Sequence, residues 1–126
     1  AKQVLRRLTT SVQRIVRSTA VADAVKQWHD CICQVCGEGV PTLKGVYAEA
    51  AHIQPLGHPH DGPDISSNVL CLCPNHHVAF DRGGFVIEDD LQVITAGGTP
   101  LGALRTVPAH HIDVAFVRIH RERWAA

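Results

Sequence analysis

The spacing of apolar residues changes several times along this chain, and each change marks an element. Over residues 2–17, Val4, Leu5, Leu8, Val12, Ile15 and Val16 recur at helical spacing, with Arg6, Arg7, Arg14 and Arg17 mostly off that stripe. The pattern predicts a basic amphipathic helix. Ser18 or Thr19 can cap a second helix across residues 20–29, with Val21, Ala24, Val25 and Trp28 as its apolar face. Residues 46–53 have strand character and stop at Gln54-Pro55-Leu56-Gly57. Residues 57–64 are turn formers throughout, so a loop is expected there. Asn68 stands at its close, where its side chain can bond backbone on either side and fix the loop's shape.

The second half opens with the apolar run Leu70-Cys71-Leu72, followed by Cys73 and Pro74. Proline suits the first turn of a helix, because its missing N–H would have no intrahelical partner there. A helix is therefore predicted from Pro74, ending at Gly83-Gly84. Residues 85–94 read as two short strands turned at Asp89-Asp90, residues 96–100 as a loop, and residues 101–107 carry no decisive period. From Ala109 onward Ile112, Ala115, Phe116, Ile119 and Trp124 recur at helical spacing with Arg118, Arg121 and Arg123 outside, which predicts a terminal helix.

Length adds that the 126 residues suit one domain. No stretch approaches the roughly 18 apolar residues of a membrane span, and the basic N-terminus lacks a small-residue cleavage site, so a soluble, cytoplasmic chain is expected. Formal charge is zero, but residues 1–30 carry six basic and two acidic side chains, residues 31–90 two and eight, and residues 91–126 four and two. Basic flanks around an acidic middle suit a protein that grips phosphates and collects a cation, and equally suit two solvated helical faces.

The cysteines sharpen this picture. Cys31, Cys33, Cys36, Cys71 and Cys73 are odd in number and fall in two tight groups, which favours metal over disulfides. Cys33-x2-Cys36, closed by Gly37, has a partner in Cys73-x2-His76, and two such pairs separated by a long loop are the pattern of a structural zinc site. Zn2+ is thus expected on Cys33, Cys36, Cys73 and His76; His77 is the alternative to His76. Cys31 and Cys71 are left over and read as small buried hydrophobes. On the helix after Pro74, His77 and Asp81 stand at i and i+4 on one face, an imidazole and an acid placed to serve a hydrolytic centre.

The order Cys33, Cys36, His52, Asn68, Cys73, His76, His77 resembles that of the HNH endonucleases. Ala50-Ala51-His52-Ile53, Ser67-Asn68-Val69-Leu70 and Leu72-Cys73-Pro74-Asn75-His76-His77-x3-Asp81 are similar to the family's pieces in the family's order, over about residues 33–85. More narrowly, residues 48–57 and 68–77 resemble the nuclease domain of modification-dependent restriction enzymes, where it is joined to a domain that reads modified DNA. The resemblance implies an α+β fold with a ββα-metal core and a structural zinc, flanked by N- and C-terminal helices. Residues 1–30 would be an N-terminal helical segment and residues 31–126 the nuclease domain, its core about 33–95.

It implies, further, a divalent-metal-dependent endonuclease that hydrolyses DNA phosphodiesters. His52 would be the general base, since imidazole titrates near neutral pH. Asn68 would hold the loop and orient His52 or the phosphate, and His77 would bind a catalytic Mg2+ or Mn2+ with Asp81 beside it. Many family members carry a metal-ligating Asp or His immediately before the base, where this chain has Ala51, so Glu49 and Asp81 become the candidate anchors. The expected partners are DNA, a second copy of the chain where both strands are cut, and a DNA-reading domain in a longer protein. The competing reading is a non-catalytic zinc-finger module that binds nucleic acid or protein; it has no use for His52, Asn68 and a second histidine beside the zinc ligand. His58, His60, His110 and His111 read as surface or loop residues.

Overall fold

The computed structural model describes residues 19–125; the amphipathic helix expected over residues 2–17 lies outside the described residues. Helix α1 (Ala20–Trp28) begins where the Thr19 hydroxyl accepts the Ala22 amide at 3.1 Å, with Asp23 in its first turn and Lys26 in its last, both favourable to the helix dipole. Its inner face is Ala22 and Val25, whereas Trp28 keeps 38% of its surface in solvent. Asp30 and Cys31 then take positive φ and turn the chain into the cysteine knuckle.

The single strand expected over residues 46–53 is two strands. β1 (Val40–Thr42) and β2 (Gly45–Tyr47) form an exposed hairpin, and β3 (Glu49–His52) leaves it after Ala48 to pair with β4 (Val69–Leu72). Sequence pattern hid the break because the residues on both sides favour strands equally, while only β3 packs on the core. β3 and β4 are antiparallel, with Ala51 opposite Leu70 and His52 opposite Val69. All four β4 residues are buried, which accounts for its continuous apolar run.

Helix α2 (Pro74–Asp81) starts at the proline as the sequence predicts and packs on both strands, completing a ββα unit. Gly83, at φ +74°, follows it and sits so close to the Trp124 indole that a Cβ there would collide. Beyond lies a second antiparallel sheet of β5 (Phe85–Ile87), β6 (Gln92–Thr95) and β7 (Pro100–Ala103), turned at Asp89-Asp90 as expected. β7 resolves the stretch without a decisive period.

The terminal helix α3 (Val114–Arg123) begins five residues later than Ala109, because the Asp113 carboxylate caps the Ala115 amide at 2.9 Å. Its buried residues are Val117 and His120; Ile119 is exposed, so the inner face is displaced from the one expected. The main core joins Ala51, Ile53, Leu70, Leu72, Phe80, Phe85, Ile87, Val93 and Val117, and a smaller cluster of Val25, Ala48, Val69 and Cys71 seats α1. Among the described residues no helix is long and apolar enough to cross a membrane.

Candidate active site and metal centre

Cys33 and Cys36 leave the turn after α1, while Cys73 and His76 lie at the mouth of α2, and the fold brings all four together. One ligand atom from each lies within 4.8 Å of the others. Cys36 Sγ and Cys73 Sγ are 3.9 Å apart, Cys33 Sγ and His76 Nδ1 3.8 Å, and Cys73 Sγ and His76 Nδ1 3.2 Å. Zn–S bonds of about 2.3 Å and a Zn–N bond of about 2.0 Å at tetrahedral angles require edges of about 3.8 Å between sulfurs and about 3.5 Å from sulfur to nitrogen. The quartet therefore fits a four-coordinate, closed zinc site, with His76 as its nitrogen ligand.

Backbone geometry supports the cluster. Gly37 takes φ +76°, and a side chain there would strike the Arg105 guanidinium. Burial raises the Cys33 thiol, but the amides of Cys36, Cys73 and Val35 outweigh it and hold its pKa below the usual value. Cys36 is pushed up to about 11, by burial first and by its thiol neighbours. The uncommitted thiols read as expected in one case: Cys71 is fully buried, and burial drives it to about 12, whereas Cys31 is only half-buried.

Gln34 is a support that no sequence signal singles out. Wholly buried inside the knuckle, it donates from Nε2 to the Arg105 carbonyl at 2.8 Å and accepts the Cys71 amide on Oε1 at 2.9 Å. Its own backbone repeats both links, N–H to the Cys71 carbonyl and carbonyl from the Arg105 N–H. One side chain thus ties the zinc knuckle to β4 and to the strand exit beyond β7.

Since successive helical residues are rotated by about 100°, His77 leaves α2 in another direction from His76. It lines an open cleft of about 590 Å³ together with Ala50, His52, His58, His60, Asp81 and Arg123. Its ring lies between two carboxylates, Nδ1 at 2.9 Å from Glu49 Oε1 and Nε2 at 3.3 Å from Asp81 Oδ2. Burial works against charge on His77, yet Asp81 and Glu49 outweigh it and hold the ring above its usual pKa. Glu49 is also bound by the Tyr47 hydroxyl at 2.7 Å, which fixes its orientation. Tyr47 in turn is raised to about 12 by burial and by that carboxylate.

His52 ends β3 and places Nε2 2.8 Å from Asp64 Oδ1. Asp64 belongs to the turn-rich loop, where no local signal marked it. Asn68 explains its placement: fully buried, it donates through Nδ2 to the carbonyls of Pro63 and Gln54 at 2.8 and 3.0 Å and accepts the Gln54 amide at 2.8 Å. It touches the loop on both sides but makes no hydrogen bond to His52; its reach to that ring runs through Pro63 and Asp64.

Ala51, where the resemblance led one to expect a metal ligand, is fully buried in the core, while its neighbours Ala50 and His52 line the cleft. A longer side chain at 51 would enter the core on this backbone. The acid nearest His77 comes instead from Glu49. Three of the four histidines read as surface residues, His58, His60 and His111, stay in solvent or at its edge, but His110 is buried: its Nδ1 is 2.7 Å from His29 Nε2 and its Nε2 bonds the Ser66 carbonyl at 2.8 Å.

Comparison with known proteins agrees with this geometry. The model of a family described as HNH endonuclease matches residues 33–88, the segment that carries both the zinc quartet and His52, Asn68 and His77. A solved structure titled "Modification dependent TagI restriction endonuclease" superposes with a TM-score of 0.84 at 47% identity, over 86% of this chain and 39% of that one. The chain thus spans well under half the length of that relative. No curated protein matches it. The ββα unit, the Cys3His quartet and the ordered His52, Asn68 and His77 all lie within the matched segment, and residues 33–88 accordingly belong to the HNH endonuclease family.

Proposed function

We propose that this chain is the nuclease part of a restriction-type enzyme and hydrolyses DNA phosphodiester bonds with a divalent cation. The observation that carries the reading is the convergence of His52 and His77, each already held by a carboxylate, on one open cleft. His52 is the general base. With Asp64 accepting the Nε2 proton, the lone pair is left on Nδ1, where it takes a proton from water. Asp64 is a positioning residue that fixes ring and tautomer, and Asn68 positions Asp64 through the loop.

His77 and Asp81 are the residues that would hold the catalytic Mg2+ or Mn2+. Ligands at about 2.1 Å on adjacent octahedral positions lie about 3.0 Å apart, and the 3.3 Å between His77 Nε2 and Asp81 Oδ2 is close to that spacing. Nitrogen and carboxylate oxygen are donors such ions accept, and Asp81 is half in solvent and free to adjust. Glu49, on the far side of the ring, sets the tautomer and raises the basicity of Nε2. When bound, the ion neutralises charge building on the phosphorane and the leaving oxygen. Zn2+ on Cys33, Cys36, Cys73 and His76 has a structural role.

Residues 31–126 form the nuclease unit in this reading, and residues 1–30 connect it to a DNA-reading domain in a longer protein of the cytoplasm. Cutting both strands takes two such sites, which a homodimer supplies. The purified chain should nick supercoiled plasmid with Mg2+ or Mn2+. His52→Ala should lower the rate by about 10² to 10⁴ while zinc content and thermal melting hold. A variant as active as the parent would remove His52 from the mechanism, and salt-dependent binding without cleavage in either metal would favour the zinc-finger module instead.

A further inference from the structure

Helix α3 lies wholly beyond residues 33–88, yet its last residue, Arg123, lines the same cleft as His52, His77 and Asp81. The three arginines of this helix differ in what holds them. Arg118 donates to Asp89 Oδ2 through Nε and Nη2 at 3.0 and 2.9 Å, and Arg121 donates to Asp89 Oδ1 at 2.8 Å and to the Ile87 carbonyl at 2.8 Å. Asp89 is held down to about 2 by these two guanidinium groups, so both cations are matched. Among the described residues no carboxylate lies within 4.0 Å of Arg123. Asp81 shares its cleft without pairing with it.

The Arg123 guanidinium lies 4.7 Å from the centre of the Trp124 ring, and Trp124 is itself seated on Gly83, the residue that closes α2. The cation is thus oriented without being neutralised: an aromatic face restricts the fork while leaving its N–H groups to a partner. A planar fork of this kind matches two oxygens of a phosphate. With Asp81 on one part of the wall and Arg123 on another, a substrate phosphodiester can meet both a cation-binding carboxylate and a fixed positive charge.

From this arrangement we infer that Arg123 binds a backbone phosphate of the DNA strand in the cleft and positions it for attack, so that α3 is part of the substrate site. The inference rests on the nuclease reading above. It is tested on the full chain with His52→Ala as background, so that a labelled 20-base-pair duplex binds without being cut, by fluorescence anisotropy across a salt series.

Arg123→Gln should weaken binding about tenfold and reduce the slope of log affinity against log salt by about one, whereas Arg118→Gln, whose guanidinium is committed to Asp89, should leave the slope in place. In the chain with His52 restored, Arg123→Gln should raise KM more than it lowers kcat, and Arg123→Lys should recover part of the loss. An unchanged salt slope and KM in Arg123→Gln, with cleavage present in the parent, would overturn the inference and leave the nuclease reading standing. A lowered melting temperature with an unchanged slope would overturn it too, assigning Arg123 to packing. If the parent itself fails to cleave, the nuclease reading fails, and the anisotropy series still decides whether Arg123 contacts phosphate.

Discussion

Two faces of one short helix present adjacent histidines to different surroundings. On the Cys3His face, His76 joins three sulfurs within 4.8 Å of one another, a set that can fill all four positions around a tetrahedral ion with protein. At the cleft end, His77 meets only oxygens, and the carboxylate at its Nε2 is half in solvent. Soft donors in a complete set make a staple, and hard donors in an open cleft leave room for substrate. The contrast teaches that ligand type and closure divide the two sites, while a rotation of about 100° along α2 keeps them apart.

The largest expected effect tests the staple. Cys33→Ser should unfold the chain at ordinary temperature, because structural zinc contributes about 10 kcal/mol or more in small domains. Circular dichroism and zinc analysis would read it, and a folded, zinc-free variant would rule out a structural role for the quartet. The same measurements sharpen it at the helix: His76→Ala should lose zinc and melt early, whereas His77→Ala should keep one zinc per chain and lose cleavage. Equal zinc loss in both would mean that the two histidines are not divided as their positions suggest.

A middle effect belongs to the loop that faces the cleft. Asn68→Ala removes three buried hydrogen bonds and leaves the Gln54 amide and two carbonyls to find other partners, at a cost of about 3 kcal/mol. The melting midpoint should fall by about 10 °C. Cleavage should fall further than the unfolded fraction explains, since Asp64 loses its support, and zinc should be retained. Activity at the parental level in the folded fraction would detach Asn68 from His52.

The smallest effect lies away from both sites and checks that acid sensitivity is not all metal loss. Burial holds His29 down to about 4, against an ordinary value of 6.5, and lowers His110 as well. A lowered imidazole pKa means that the unfolded chain binds the proton more readily. The stabilisation is therefore complete above about pH 6.5 and is lost as pH falls toward 4, by about 3 kcal/mol for His29. Melting temperature against pH should show this slope in the parent and a shallower one in His29→Asn, since that difference cancels zinc loss common to both. Parallel slopes would assign the whole acid transition to other groups.

Much of the zinc end was legible because its signal is local and paired: two x2 spacings, a glycine after the knuckle, and a proline that starts the helix. His52, Asn68 and His77 were legible as an ordered set. Their partners were not. Asp64 lies in a loop where every residue is a turn former, Gln34 looks like any polar residue between two cysteines, and Arg123 follows closely on Arg118 and Arg121, which bind Asp89. The burial of His110 and the later start of α3 escaped for the same reason: a short apolar spacing does not reveal which neighbours will cover it.

The set of donors and the places where the chain turns follow from the residues alone, because sulfur spacing, proline and glycine act within a few residues. Which donors face one another depends on how distant segments pack. The pairing of β3 with β4 buries Ala51 and turns His52 to the cleft, and the packing of α2 on those strands brings Glu49 to His77. The seating of Trp124 on Gly83 carries Arg123 to the cleft from outside the matched segment. These are contacts between distant segments, fixed by how the core packs.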